Sequence, residues 1–228
     1  SRQLALPVAL GDGARLDNFL PEACPEAHAA LLALLAGDES LLWVWGASGS
    51  GRSHLLAAAA DTLYRRGLPV TFIDFDGGTL PDPGLVADVG GPALVCLDRV
   101  DRVAGDPGWE EALFHLFNRL RAAGGRLLAS ADAPPAAVPF ALPDLASRLR
   151  ASLVVALPAP DDTARLAILG FRAARRGLEL PPETGRYLLA HGNRDLHALM
   201  TLLDRLDRAA LEQQRRLTVP FVRQVLAG

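Results

Sequence analysis

The chain has 228 residues, of which 50% are hydrophobic and 21% charged, and this composition is typical of a soluble globular protein. The formal net charge of −3 argues against a free-standing nucleic-acid-binding protein, which usually carries a strongly basic face. The sequence contains no apolar run of about 20 residues, so it predicts no membrane-spanning helix. The N-terminus lacks the apolar core of a signal peptide and the chain has two cysteines, which leads us to expect a cytoplasmic protein.

The part of the chain before Pro158 alternates between predicted strands and predicted helices. Short apolar runs predict five strands, at residues 41–45, 69–74, 93–98, 126–130 and 152–157. Helix formers and apolar residues at helical spacing predict helices at 26–36, 52–66 and 109–123. Residues 76–91 contain several Gly, Pro and Asp and predict a loop or a short, poorly formed helix. This alternation is typical of a parallel sheet covered by helices on both faces.

From Asp161 onward the pattern changes, and the sequence predicts helices alone. They are expected at residues 161–176, 182–191, 194–211 and 219–227. Pro181-Pro182, Gly192-Asn193 and Thr218 supply the breaks and caps between them. The sequence therefore predicts an α/β domain followed by a small helical domain.

The strand at 41–45 is followed by the glycine-rich segment Gly46-Ala47-Ser48-Gly49-Ser50-Gly51-Arg52-Ser53. This segment fits the phosphate-binding pattern G-x-x-x-x-G-K-[ST] except that Arg52 replaces the lysine. Glycines allow the backbone to curl around phosphates, and the N–H groups at the start of the next helix point toward the anion. We expect nucleotide phosphates here, with the Ser53 hydroxyl on Mg²⁺; the alternative is a glycine-rich turn between a strand and a helix.

Arg52 changes the chemistry of this loop. All 23 basic residues of the chain are arginine, so a general drift toward arginine explains surface positions well. At a phosphate site the substitution matters, because lysine is a compact point charge whereas arginine is a wide, planar fork. We expect phosphate binding to survive and hydrolysis to be slow.

The end of the third predicted strand carries a candidate metal ligand. Asp98 stands where phosphate-loop proteins place an acid that helps to hold Mg²⁺, although it could also only cap the next element. The next residue is Arg99, where hydrolytic relatives usually carry an acid that orients the attacking water, and arginine cannot act as a base. Asp101 could substitute for that acid, but the sequence does not give its geometry.

Polar residues also follow the fourth predicted strand. Ser130 and Asp132 lie where a side chain can reach the γ-phosphate or the attacking water. The alternative is that they only begin a loop, and position alone does not decide between the two.

Two arginines are candidates for contact with nucleotide phosphates. Arg148 precedes the fifth strand, where an arginine can point toward a neighbour's nucleotide and stabilise transition-state charge; the alternative is a solvated surface arginine. Arg194 begins the predicted helix at 194–211 and can fold over the phosphates; the alternative is a surface salt bridge with Asp195 or Asp161.

The N-terminus carries a separate signal in the segment Gln3-Leu4-Ala5-Leu6-Pro7-Val8. Apolar residues alternate in it, and Pro7 keeps Leu6 out of a helix. Such a peptide can dock into an apolar groove on a partner, with its leucines in pockets and Gln3 hydrogen-bonded. The alternative is an arm packed on its own domain.

Taken in chain order, these motifs resemble the AAA+ module of the bacterial replication initiator DnaA. The residues that carry the resemblance are Leu16-Asp17-Asn18-Phe19, Gly51-Arg52-Ser53-His54-Leu55-Leu56, Leu97-Asp98, Ser130-Ala131-Asp132, Leu145-Ala146-Ser147-Arg148-Leu149 and Asn193-Arg194-Asp195-Leu196. The N-terminal Gln-Leu-x-Leu-Pro peptide, the arginine in the phosphate loop and Thr218-Val219-Pro220-Phe221-Val222 are similar to the Hda regulators within this family. We expect no helix-turn-helix DNA-binding domain after the lid, unlike in DnaA.

The resemblance implies a fold and a set of domains. It implies an AAA+ P-loop fold with a five-stranded parallel sheet and a helical lid. The expected domains are a clamp-binding peptide at 1–10, an α/β domain at 11–158 and a lid at 159–228. Nucleotide contacts are then expected from Leu16, Phe19, Gly46, Ser48, Gly49, Ser50, Gly51, Arg52, Ser53, His54 and Arg194.

The resemblance also implies a mechanism. Hda proteins bind the sliding clamp, the beta subunit of DNA polymerase III, through the N-terminal peptide, here Gln3, Leu4, Leu6 and Val8. In the ADP-bound form they stimulate hydrolysis of the ATP that DnaA holds, and so act as negative regulators of replication initiation. Arg148 matches the arginine finger acting in trans, Asp132 the sensor 1 position and Arg194 the sensor 2 arginine.

Carried over to this chain, the family predicts ADP or ATP with Mg²⁺ held by Ser53 and Asp98, and DNA contacted indirectly through the clamp. It predicts no membrane partner, and homo-oligomers are an open option. Two other functions fit the residues less well. An autonomous ATPase such as a DnaC-like helicase loader is disfavoured by Arg52 and Arg99. The other alternative is a nucleotide-independent clamp-binding adaptor whose AAA+ fold is only a scaffold, which a failure to bind ADP would favour.

Overall fold

The computed structural model describes residues 24–76, 79–87, 89, 91, 94–192 and 196–227. The described residues divide into two compact units. The first contains residues from 24–48 and 52–158, and the second contains residues 49–51 and residues from 159–227. The first unit contains five strands: β1 (Leu41–Trp45), β2 (Val70–Asp74), β3 (Leu94–Asp98), β4 (Arg126–Ala131) and β5 (Leu153–Ala156).

The five strands form one parallel sheet in the order β2-β3-β4-β1-β5. In the registered pairs, Asp74 of β2 lies beside Asp98 of β3, and Trp45 of β1 lies beside Ala131 of β4. All strands run in the same direction, so their carboxyl ends meet at one edge of the sheet. Ligands of open α/β sheets bind outside this edge, and the predicted phosphate loop, Asp98 and Asp132 all follow strand ends there. The predicted five-stranded parallel sheet is confirmed.

The helices of the first unit are α1 (Pro25–Ala36), α2 (Arg52–Arg65), α3 (Pro107–Ala123) and α4 (Pro143–Arg150), with short 3-10 turns at Pro83–Val86 and Val100–Val103. Proline near the start of α1, α3 and α4 is pre-organised for a first helical turn. The Asp106 carboxylate caps α3 by accepting from the Trp109 N–H at 2.9 Å. Helix α4 and the turn at Val100–Val103 were not predicted, because both are too short for apolar periodicity to show.

The core of the first unit lies on both faces of the sheet. On one face, Trp43 of β1 packs in a cluster with α3 and α4 that includes Trp109 and Leu149. On the other face, Leu42 and Val44 pack with α1 and α2. Successive side chains of β1 alternate between the two clusters, as the period of a strand requires. This arrangement confirms the predicted sheet covered on both faces.

The two cysteines are free thiols. Cys96 is fully buried in β3, and burial, with a smaller contribution from the charge of Asp98, raises the pKa of its thiol. A thiol with a raised pKa carries little thiolate at neutral pH, so Cys96 is an inert part of the core.

The second unit consists of the helices α5 (Asp162–Arg175), α6 (Pro182–His191), α7 (Leu196–Gln213) and α8 (Val219–Ala227). The Asp161 carboxylate caps α5 by accepting from the Ala164 N–H at 2.7 Å. Phe221 of α8 is fully buried and packs with leucines of α6 and α7. The predicted helical region is thus confirmed, and α7 ends at Gln213 rather than at the predicted residue 211. Among the residues that the structure describes, no helix is long and apolar enough to cross a membrane.

Candidate functional site

The predicted phosphate loop connects the end of β1 to the start of α2. Gly49 and Gly51 have positive φ angles of 78° and 96°, which residues with a side chain rarely adopt. Helix α2 begins at Arg52, so the first N–H groups of the helix follow the loop directly. This is the local geometry that binds anions in phosphate loops.

Two polar groups of this segment are buried without a hydrogen-bond partner among the described residues. They are the Ser50 hydroxyl and the Nη1 atom of Arg52, whose side chain is only 8% exposed. A buried donor without a partner is destabilising by about 1–3 kcal/mol, so both groups fit an anionic ligand that supplies the missing acceptors. Ser48 and Ser53 are exposed, and His54 is half-buried.

The other end of the Arg52 guanidinium is bound within the protein. Its Nη2 atom donates to Oδ1 of Asp132 at 2.6 Å, and the Asp132 side chain is 57% exposed. The phosphate-loop arginine and the residue predicted as sensor 1 therefore form one ion pair, across 80 residues of sequence. The guanidinium can bridge Asp132 and a phosphate, because its fork presents several N–H groups in one plane.

Asp98 lies at the end of β3 and is only 2% exposed. The Ser130 hydroxyl, itself fully buried, donates to Oδ1 of Asp98 and accepts from the Arg99 N–H at 2.9 Å. Ser130 therefore orients Asp98 and the backbone at Arg99. Ser130 does not have the free hydroxyl that a direct contact with the γ-phosphate would require.

Arg99 forms a second ion pair network beside Asp98. Its Nη2 atom lies 2.7 Å from Oδ1 of Asp74, and its Nη1 atom lies 2.9 Å from Oδ2 of Asp76. The pKa of Arg99 is raised above its usual value. Partial burial acts in the opposite direction, but it is outweighed by the hydrogen bond and charge of Asp74 together with the charges of Asp98 and Asp76. The backbone at Arg99 is left-handed, with φ 61°. Arg99 is thus a permanently charged group that neutralises neighbouring acids.

Asp101 and Asp132 are linked by a backbone contact. The Asp132 N–H donates to Oδ2 of Asp101 at 3.3 Å, while Oδ1 of Asp101 is buried without a partner among the described residues. Those residues contain no group of three or more His, Cys, Asp or Glu side chains placed to hold a metal. Mg²⁺ is commonly held by one or two protein oxygens together with nucleotide phosphates, and the Ser53 hydroxyl and the Asp98 carboxylate are donors of that chemistry.

Arg148 lies near the end of α4 and contacts α3. Its guanidinium lies 4.4 Å from the ring centre of Phe114 and 5.1 Å from that of Phe117. Its Nη1 atom donates to the Oδ1 atom of Asn118. Arg148 also lines a surface pocket of about 180 Å³ with Phe117, Arg121 and Glu39. Neutral groups therefore orient a half-buried guanidinium that forms no ion pair within the described residues.

Helix α4, which carries Arg148, is held at its other end by a buried carboxylate. Glu110 of α3 is 2% exposed and accepts hydrogen bonds from the Gly105 N–H at 2.6 Å, the Ala141 N–H at 2.9 Å and the Leu142 N–H at 2.6 Å. Leu142 is the N-cap residue of α4, whose own side chain makes no capping bond. Glu110 thus fixes the start of α4 against α3.

The other predicted site residues lie outside the described part of the chain. These are the predicted clamp-binding residues Gln3, Leu4, Leu6 and Val8, the nucleotide-contacting residues Leu16 and Phe19, and the sensor 2 residue Arg194. Their predicted roles therefore stay predictions.

Sequence reasoning missed the residues that position the site. It did not predict Asp74 and Asp76 as partners of Arg99, or Glu110 as a cap for α4. It predicted Phe117 only as an apolar residue of a helix. Of these residues, Asp74 is the one that the sequence could have indicated as part of the site, because it ends a predicted strand as Asp98 does.

Comparison with known proteins agrees with the fold described above. Residues 162–226 match the protein family described as "Hda, lid domain". Domain III of DnaA from Thermotoga maritima superimposes with a TM-score of 0.74 at 22% identity, covering 96% of this chain and 98% of that one. The chain therefore has the fold of DnaA domain III, and the helices of its second unit match the Hda lid domain.

Two further solved structures share the AAA+ fold. AMPPCP-bound DnaA from Aquifex aeolicus has a TM-score of 0.71 at 22% identity, covering 90% of this chain and 68% of that one. The RuvB Holliday junction branch migration motor from Thermotoga maritima has a TM-score of 0.64 at 14% identity, covering 92% and 69%.

Proposed function

We propose that this protein is a negative regulator of DNA replication initiation that stimulates hydrolysis of ATP bound to DnaA. In this proposal it binds ADP, associates with the sliding clamp loaded on DNA, and supplies Arg148 in trans as an arginine finger. It contacts DNA indirectly through the clamp and works in the cytoplasm. The lid family and the DnaA-like fold support the choice of DnaA as partner.

The observation that carries the proposal is the environment of Arg148. Phe114, Phe117 and Asn118 hold the guanidinium by stacking and by one hydrogen bond. Within the described residues it forms no ion pair, and the carboxylate that shares its pocket is that of Glu39. An arginine that stabilises a partner's transition state needs a fixed position and an uncompensated charge. Glu110 adds rigidity by fixing the start of the helix that carries Arg148.

The nucleotide site of the chain itself is suited to binding rather than to rapid hydrolysis. Bound phosphates would supply the acceptors that Ser50 and Nη1 of Arg52 lack. Ser53 and Asp98 would hold Mg²⁺, which supplies positive charge next to the phosphates when bound. Arg99 follows Asp98 where hydrolytic relatives carry an acid, and as a charged guanidinium paired with Asp74 it cannot accept a proton from water.

The deciding experiment measures ATP hydrolysis by DnaA in the presence of DNA-loaded clamp. The wild-type protein should accelerate hydrolysis, and Arg148→Ala should lose most of that acceleration, since an arginine finger is worth about 10³–10⁵-fold in rate. Arg150→Ala is the matched control, because this exposed arginine ends the same helix. Clamp binding by all three proteins should be equal.

The same assay separates the competing functions. If the wild-type protein does not accelerate hydrolysis by DnaA, the regulator proposal fails. If Arg148→Ala binds the clamp and still accelerates hydrolysis, the finger assignment fails. Substantial ATP hydrolysis by the protein alone would favour a helicase loader, and a failure to bind ADP would favour a nucleotide-independent adaptor.

A further inference from the structure

The overall charge of −3 conceals an uneven distribution of charge along the chain. Residues 1–158 contain twelve arginines and eighteen acidic residues, whereas residues 159–228 contain eleven arginines and eight acidic residues. From Gln213 to Gly228 the chain has three arginines and no acidic residue. These three arginines, Arg215, Arg216 and Arg223, are exposed, and we name them the α8 arginine surface.

Two members of the α8 arginine surface are oriented by neutral groups. The Arg215 guanidinium lies 5.0 Å from the ring centre of Phe221 and donates to Oε1 of Gln224 at 3.1 Å. The Nε atom of Arg223 donates to the Tyr187 hydroxyl at 3.3 Å, with its guanidinium 5.8 Å from the ring centre. Within the described residues, none of the three arginines is paired with a carboxylate. The surface therefore keeps its full positive charge while two guanidiniums have preferred orientations.

These contacts also place the arginines near one another. Arg223 and Gln224 are adjacent on α8, and Gln224 is the residue that Arg215 binds. Arg216 follows Arg215 directly. On the side toward α6, Tyr187 stacks on the exposed ring of His191 with the ring centres 4.1 Å apart. The arginines thus lie along α8 and its connection to α7, and the exposed Glu183 of α6, one helical turn before Tyr187, borders them on the α6 side.

We propose that the α8 arginine surface binds the phosphate backbone of duplex DNA directly and without sequence specificity. Guanidinium forks match the paired oxygens of phosphates, and an uncompensated cluster of arginines is attracted to the dense charge of a duplex. A lipid surface is a poorer fit, because insertion requires an extended apolar face. Leu211 is the only large apolar side chain of this unit recorded as exposed among the described residues.

This contact is additional to the indirect one through the clamp, and it does not depend on the regulator proposal. The test uses the 228-residue protein alone, with neither DnaA nor clamp, and measures fluorescence anisotropy of a labelled mixed-sequence duplex at increasing salt. The wild-type protein should bind at low salt with a slope of log K against log salt near −3, because each neutralised phosphate contributes about −0.9.

Three variants make the test specific. Changing Arg215, Arg216 and Arg223 together to Gln should reduce the magnitude of the slope by about one for each arginine. The same three positions changed to Lys should retain the slope, because phosphate attraction depends mainly on charge. The control changes the exposed Arg66, Arg102 and Arg150 of the first unit to Gln, which removes an equal charge and should leave the slope unchanged. Circular dichroism confirms that each variant is folded.

Several results would overturn the proposal. One is no binding of the duplex by the wild-type protein at low salt, and another is equal binding by the Gln variant and the control. A third is binding to anionic lipid vesicles but not to the duplex. A fourth is that the Gln variant binds DNA as the wild type does but differs from it in self-association, measured by sedimentation. That result would mean that the α8 arginine surface contacts the acidic first unit of a second copy of the chain.

Discussion

The Arg52 guanidinium donates to the Asp132 carboxylate, with Nη2 2.6 Å from Oδ1, and leaves its Nη1 atom buried without a partner among the described residues. One side chain thus connects the start of α2 to the segment after β4 and still has an N–H group to offer a phosphate. A lysine has a single ammonium group on a flexible stem and lacks this fixed fork.

Removal of the Asp132 carboxylate should destabilise the nucleotide-free protein more than the nucleotide-bound one. Asp132→Ala leaves the buried Arg52 without its anion, and we expect a loss on the order of 1 kcal/mol because Asp132 is itself half exposed. Bound ADP offers a replacement anion, so ADP should raise the melting temperature of the variant more than that of the wild type. Thermal denaturation with and without ADP measures both effects.

The control for this prediction is Asp38→Ala, since Asp38 is an exposed acid in the connection between α1 and β1. It should change neither stability nor the response to ADP. An equal shift of melting temperature by ADP in Asp132→Ala and in the wild type would contradict the bridging role of Arg52.

Loss of the Glu110 carboxylate should strongly destabilise the protein. Glu110→Ala leaves the N–H groups of Gly105, Ala141 and Leu142 without their acceptor, and we expect a loss of about 3 kcal/mol or more in the free energy of unfolding. Glu110→Gln should be milder, because Oε1 alone accepts from Gly105 and Ala141. Urea denaturation followed by tryptophan fluorescence measures both variants.

The neighbouring Glu111 is exposed and provides the comparison for Glu110. Glu111→Ala should stay within about 0.5 kcal/mol of the wild type. If Glu110→Ala were equally mild, the carboxylate would not be the cap of α4.

Truncation of Phe114 should affect the proposed stimulation more than stability. Phe114→Leu removes the ring closest to the Arg148 guanidinium, and stacking of this kind contributes about 0.5–2 kcal/mol. Because a misplaced catalytic group can lose about 10²-fold in rate, we expect stimulation of hydrolysis by DnaA to fall at least tenfold. The measurement is the same clamp-dependent hydrolysis assay.

Phe72→Leu is matched to this variant, because Phe72 lies in β2 and packs in the cluster on the other face of the sheet. It should lose comparable packing energy and keep its stimulation. Similar stimulation by the two variants would show that the Phe114 ring does not position Arg148.

Removal of the Arg99 charge should destabilise the protein in a salt-dependent manner. Arg99→Gln leaves Asp74, Asp76 and Asp98 to repel one another, and we expect a loss of about 1 kcal/mol at low salt. The loss should shrink at high salt, where the screening length is about 3 Å. Because the fold raises the pKa of Arg99, its contribution is complete at neutral pH and declines only as the pH rises through that raised pKa.

Urea denaturation at low and high salt tests this prediction, with the exposed Arg66→Gln as the comparison. A loss that is the same at both salt concentrations would mean that Arg99 acts through packing rather than through charge.

The predictions from sequence were most accurate for features that depend on residues close together in the sequence. Apolar runs such as Leu41–Trp45 are local signals, and each of the five predicted strands is present. The helix at Pro143–Arg150 escaped detection because eight residues show too little periodicity. The motif from Gly46 to Ser53 is also a local signal, because all of its residues lie in one loop and the first turn of the helix that follows.

The partners of the key side chains required the tertiary structure. Arg52 binds Asp132 across 80 residues, Glu110 binds the Leu142 N–H across 32, and Arg148 binds Asn118 across 30. Sequence periodicity identifies strands but does not give their order in the sheet. The order β2-β3-β4-β1-β5 decides which strand ends meet, and hence that Arg99 faces Asp74.

The sequence by itself determined the class of fold, the position of the predicted phosphate loop and the absence of a usable base at Arg99, because these follow from residue types at fixed spacings. The tertiary structure decided which charges are compensated. Asp132 pairs with Arg52 and Asp74 pairs with Arg99. Arg148, Arg215 and Arg223 instead contact rings, amides or a hydroxyl and form no ion pair within the described residues. Charge compensation depends on distances in space, which only the packed chain defines.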